Sequence, residues 1–150
     1  MFESWLRAPV VALIREALDA AGPHSARGPL LVMGDASLAQ GLLRSGYDVH
    51  VAGVSQRAQK RFANVVDETR LQAPPCQPLF ANAVAAVAAN ASFAATLQQV
   101  LALTLPHGYT LLVTRGQRTQ ASGVVLGAGM LEIEQRQAGR VVVTSGTRGW

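Results

Sequence analysis

Between Phe2 and Ala20 the apolar residues Leu6, Val10, Leu13, Ile14, Ala17 and Leu18 recur every three or four positions. That is the period of an α-helix with one packed face. Pro9 fits such a helix best within its first turn, where a missing amide donor costs nothing. Gly22, Pro23 and Gly28 then mark a loop. Leu30 to Met33 is wholly apolar and ends at Gly34, Ser37 to Arg44 is helix-like, and Val49 to Val54 is a second apolar, β-branched run. Strand, tight turn, helix and strand in so short a span make a βαβ unit with parallel strands.

Gln56 to Phe62 reads as helix and Ala63 to Val66 as a short strand, followed by a polar, proline-bearing connection from Asp67 to Pro78. Periodicity alone leaves Phe80 to Val87 open between strand and helix. The flanking Pro78 and the helix that follows favour a strand. That helix, Ser92 to Leu103, carries Phe93, Leu97, Val100 and Leu101 on one face. Pro106-His107-Gly108 breaks it, and Tyr109 to Thr114 is a strand. Val124 to Leu126 reads as helical. Met130 to Glu134 alternates, Val141 to Thr144 is all apolar, and the turn at Gln137-Ala138-Gly139 joins them as an antiparallel hairpin. No internal repeat or linker divides residues 1–150, so one domain is expected.

Composition narrows the class. A chain of 150 residues with 49% hydrophobic and 15% charged residues buries one core and is not disordered. Its Ala, Val and Leu content suits helices packed on a buried parallel sheet. The net charge of +4 comes from 13 basic and 9 acidic residues. The arginines at 7, 15, 27, 44, 70, 136, 140 and 148 are scattered, and Arg57, Lys60 and Arg61 read as a solvated helix face. No nucleic-acid partner is therefore expected. Cys76 is the only cysteine, which excludes an intrachain disulfide, a zinc cluster and a redox pair. The apolar run Pro9 to Ile14 is too short for a secretory signal and is closed by Arg15 and Glu16. No apolar stretch reaches the roughly 18 residues of a membrane span, so a cytoplasmic location is expected.

This order of elements resembles the class I S-adenosylmethionine-dependent methyltransferases, with a Rossmann-like series of α/β steps and a closing antiparallel hairpin. "LLVMGDASLAQGLLRSGYDVHVAGVS" resembles the family's first strand, cofactor loop, first helix and second strand. "ANVVDETRLQAPPCQPLFANAVAAVAA" resembles its third strand, the loop after it and its fourth strand. "FAATLQQVLALTLPHGYTLLVTRG" resembles the helix, Pro-x-Gly turn and fifth strand, and "GMLEIEQRQAGRVVVTSG" the closing hairpin. The resemblance implies a three-layer α/β sandwich, a mostly parallel sheet with a C-terminal hairpin, and an N-terminal helix packed on it.

It also implies where a cofactor would sit. Gly34, Asp35 and Ala36 occupy the loop after the first strand, and Ser55 and Gln56 the end of the second. Asp67 matches the position that commonly meets the adenine amino group. These six are the cofactor-binding positions if that site functions. No catalytic residue and no metal ligand is assigned.

The family's loop is richer in glycine. Here only Gly34 remains, with Ala36 and Leu38 at the later positions, and Leu38 brings a branched side chain where the family usually has none. The family's ribose-binding carboxylate is absent from Val51-Ala52-Gly53-Val54-Ser55-Gln56. A neutral partner in its place gives up about 1–2 kcal/mol. Ala81 stands where an aspartate often begins the fourth strand, and no polar Asn-Pro-Pro-aromatic motif lies near Asn82 to Asn90.

His50 reads as a hydrogen-bonded packing residue and His107 as structural, and His24 has no visible partner. Met33 and Met130 read as core. No nucleophile, base and acid fall at a recognisable spacing. Few residues are available to wall an acceptor pocket. Two functions are thus expected. One is a methyltransferase-like pseudoenzyme without cofactor, serving as a protein-interaction or self-associating assembly module. The other is a compact active methyltransferase using S-adenosylmethionine on an exposed site of a larger partner.

Overall fold

The apolar runs of the sequence meet in one six-stranded sheet. The computed structural model describes residues 2–21, 28–66, 80–87 and 91–149, and of residues 2–8 the backbone only. In chain order the elements are α1 (Phe2–Ala20), β1 (Pro29–Met33), α2 (Ala36–Arg44), β2 (Asp48–Ala52), α3 (Gln56–Gln59) and β3 (Phe80–Ala86). They continue with α4 (Phe93–Leu101), β4 (Thr104–Arg115), α5 (Arg118–Gly127), β5 (Leu131–Ala138) and β6 (Val141–Thr147). The sheet order is β2-β1-β3-β4-β6-β5. The first four strands are parallel, and β6 pairs antiparallel with both β4 and β5.

Strand alternation divides the core into two layers. Leu30, Val32, Val49, Val51, Val84, Leu111 and Val143 face α1 and α2, where Ile14, Leu18, Leu38 and Leu42 are buried. Leu31, Met33, Ala83, Ala85 and Leu112 face α4 and α5, where Leu97, Val100 and Val125 are buried. Both sheet faces are covered, which is why the strands read as unbroken apolar runs. The three-layer α/β sandwich expected from the sequence is therefore present. Among the described residues, no helix is long and apolar enough to cross a membrane.

Pro9 lies inside α1 rather than in its first turn. Val10, Val11, Ile14 and Leu18, all beyond it, are buried. At about 1.5–3 kcal/mol each, they outweigh the roughly 3 kcal/mol of an interior proline. The expected strand at Ala63 to Val66 is reduced to one parallel bridge between Val65 and Val51. It is held by Val51 N–H donating to Asn64 O at 3.0 Å and Val66 N–H donating to Val51 O at 2.8 Å. The helix expected over 56–62 ends at Gln59, since α3 buries none of its residues.

Pro106-His107-Gly108 ends no element. It is an irregular stretch within β4, where the register against β3 shifts. Arg148 supplies the partners: its N–H donates to Gly108 O at 2.8 Å, its carbonyl accepts from His107 N–H at 3.1 Å, and its guanidinium bonds Leu101 O and Thr104 O. A Cβ on Gly108 would fall 2.5 Å from Thr104 Cγ2 and 2.7 Å from Leu105 O, so only glycine fits. His107 is exposed and has φ +63°. That left-handed conformation costs a non-glycine residue about 1–2 kcal/mol. His107→Gly is accordingly expected to stabilise the protein by about 1 kcal/mol, read as a higher urea midpoint.

Candidate functional site

From β1 the chain crosses to β2 on one side of the sheet, while β3 pairs on the other. Open α/β sheets bind ligands outside the carboxyl ends of strands at such a reversal. Here those ends meet closely. Gly34 N–H donates to Ala52 O at 3.0 Å. A Cβ on Gly34 would lie 2.5 Å from Ala86 O, and one on Gly53 would lie 3.2 Å from Met33 Cγ and 3.5 Å from Gly34 N. Both glycines have positive φ, +91° and +65°. The product is an exposed cradle of backbone at Gly34.

The side chains around this cradle have structural tasks. Asp35 is the N-cap of α2, its Oδ1 accepting from Leu38 N–H at 2.9 Å. Ala36 is half-buried against the α1–α2 core layer. Leu38 is 4% exposed in that same layer, so its branched side chain enters the core. Ser55 caps α3, its Oγ accepting from Ala58 N–H at 3.2 Å, and Gln56 is exposed in the first turn. Asp67 lies outside the described residues. The structure brings Gly34, Asp35 and Ala36 together at the end of β1, and places Ser55 and Gln56 beyond the end of β2. Gly53 and Ala86, not singled out from sequence, shape the cradle. Their signal was a glycine and an alanine run at the ends of apolar strands.

Elsewhere, His50 Nε2 lies 3.4 Å from Asp48 Oδ1, and its ring meets Phe80 edge-on with centroids 5.4 Å apart. His50 thus packs at a strand, as its sequence position suggested. Met33 and Met130 are buried in the α4–α5 layer. Arg57, Lys60 and Arg61 are exposed. Among the described residues, no three His, Cys, Asp or Glu side chains are grouped to hold a metal ion.

Comparison with solved structures identifies the architecture. A Burkholderia thailandensis 1,6-didemethyltoxoflavin-N1-methyltransferase, solved with S-adenosylhomocysteine, matches at TM-score 0.68 and 11% identity over 99% of this chain and 82% of its own. A provisionally assigned methyltransferase from Pseudomonas syringae matches at TM-score 0.65 and 15% identity over 96% and 99% of the two chains. The N-methyltransferase NodS from Bradyrhizobium japonicum matches at TM-score 0.60 and 14% identity over 95% and 96%. No family model and no curated protein matches the sequence. The chain has the class I S-adenosylmethionine-dependent methyltransferase fold.

Its residues fit that cofactor only in part. The Gly34 cradle suits close approach of a ligand to backbone. For a ribose diol the end of β2 offers no carboxylate, only the Ser55 hydroxyl, whose oxygen also accepts from Ala58 N–H, and the exposed Gln56.

Proposed function

We propose that this chain is a methyltransferase-like domain that does not bind S-adenosylmethionine productively and acts as a protein-interaction or assembly module. The observation that carries this reading is the allocation of the site's polar side chains. Asp35 and Ser55, the described candidates best able to accept hydrogen bonds from a ligand, each cap a helix. Leu38, at a position where the family favours glycine, belongs to the core.

The alternative, an active methyltransferase working on an exposed site of a larger partner, draws support from the surviving Gly34 cradle. It also draws support from neighbours solved with S-adenosylhomocysteine, including the Burkholderia enzyme and NodS. In that case holding donor and acceptor in line would suffice, without an obligatory acid or base.

A thermal melt in S-adenosylhomocysteine separates the two. A ligand at a hundred times its Kd adds about 2.7 kcal/mol to stability, a shift of several degrees. The non-binding reading expects no shift, either for wild type or for Ser55→Asp, which keeps an N-cap while adding the missing carboxylate. A clear wild-type shift would overturn it.

A further inference from the structure

β5 is one edge of the sheet, and among the described residues no strand pairs with its outer side. Its phase follows from the hairpin. Ala138 and Val141 flank the two-residue loop Gly139-Arg140, with Gly139 at φ +58°, so they form a hydrogen-bonded pair. Alternation then turns the backbone groups of Glu134 and Arg136 toward β6 and leaves the N–H and C=O of Gln135 and Gln137, with the C=O of Ile133, facing outward. Ser145 Oγ donates to Glu134 O at 3.4 Å, which agrees with that phase.

The edge is self-complementary in charge. Glu134 Oε2 and Arg136 Nη2 lie 3.2 Å apart on one face of β5, Glu134 exposed and the Arg136 side chain mostly covered, at 15% exposure. A second β5 running antiparallel about a two-fold axis through Gln135 sets each Glu134 opposite an Arg136 of the other copy. The outward groups of Gln135 face themselves, and the Gln137 N–H of each copy faces the Ile133 C=O of the other, for about four new backbone bonds. Moving the axis two residues back sets Glu132 against Glu134, and like charges directly opposite are unfavourable. Moving it two forward runs the pairing into the loop at Gly139. The bulge at Glu132, with φ +53°, closes the paired segment at its other end.

The same side of the molecule carries exposed apolar surface. Leu131 on β5 is 56% exposed, and Leu126, on the helix packed against β5 and β6, is 66% exposed. We infer that a second copy of this chain adds to the β5 edge, giving a two-fold dimer with a continuous twelve-stranded sheet (six strands per copy). The inference rests on the assembly reading above and gives it a partner and a register.

Light scattering coupled to size exclusion, across a concentration series at low and high salt, tests it on the full chain. Wild type is expected as a dimer that weakens as salt screens the charge pairs. Arg136→Glu is expected to weaken dimerisation by about tenfold or more, and Glu134→Arg combined with Arg136→Glu to restore it. Gln137→Pro removes an N–H that the hairpin phase turns away from β6, so it should give a monomer in light scattering that is still folded by circular dichroism. A wild-type monomer at every concentration overturns the inference, as does a dimer that survives Gln137→Pro. Neither result touches the non-binding reading, which stands or falls on the cofactor alone.

Discussion

Leu38→Gly, the substitution that would bring back a family-like glycine, is expected to destabilise the protein by about 4 kcal/mol or more. Leu38 is 4% exposed and packs with Ala39 and Leu42 of its own helix against Ile14 and Leu18 of α1. Removing such a side chain to the Cβ costs about 2–5 kcal/mol, depending on how far the cavity collapses. Glycine in place of alanine within a helix adds about 1 kcal/mol. Against the 5–15 kcal/mol typical of a domain, that is a large share. Urea unfolding should show the loss directly. A change below about 1 kcal/mol would mean that Leu38 sits outside the core. A glycine therefore cannot be placed at position 38 without a large loss of stability, because the core depends on the Leu38 side chain.

Gly34→Ala is the second large effect, expected at about 3 kcal/mol. Two costs combine. At φ +91° the left-handed backbone disfavours an L side chain by about 1–2 kcal/mol. The new Cβ would also fall 2.5 Å from the Ala86 carbonyl oxygen, and since that atom is backbone, the end of β3 must shift. Overpacking of this kind costs about 1–3 kcal/mol. Gly46→Ala is the matching control. Its φ is +96° but nothing lies within 4 Å of the added carbon, so only the conformational cost remains. Parallel unfolding curves should place Gly34→Ala well below Gly46→Ala, and equal losses would remove the close approach of the three strand ends from the account.

Much of this fold could be read in the sequence, because buried parallel strands and one-faced helices leave strong local patterns. Leu30 to Met33, Val49 to Val54 and the face through Val10, Ile14 and Leu18 are visible without knowing their partners. Asp35 and Ser37, at the start of the helix-like run, are both of the residue types that cap helices, and it is the Asp35 carboxylate that caps α2. What escaped depends on distant partners. The irregular Pro106-His107-Gly108 stretch continues a strand only because Arg148 arrives from the end of β6 to bond it. Val65 pairs only because Val51 offers an open edge.

The site was legible as a position and not as an arrangement. The helical pattern over Ser37 to Arg44 includes Leu38, whereas the family resemblance set it at a ligand-loop position. Its spacing to Leu42, one helical turn on, is the signal that it belongs to the helix and faces the core. Gly53 and Ala86 shape the cradle through proximity across strands, which no local spacing reports. The fold of a methyltransferase is thus present, with Asp35 and Ser55 at helix ends and Leu38 in the core. Fold alone does not carry activity across such a change.

Whether the cofactor binds at all is decided by calorimetric titration of the purified chain with S-adenosylmethionine and S-adenosylhomocysteine. No saturable heat is expected with either ligand up to about 1 mM, a binding energy no better than about −4 kcal/mol. A micromolar Kd, about −8 kcal/mol, with Gly34→Ala abolishing it, would contradict the account and restore the reading of a working methyltransferase.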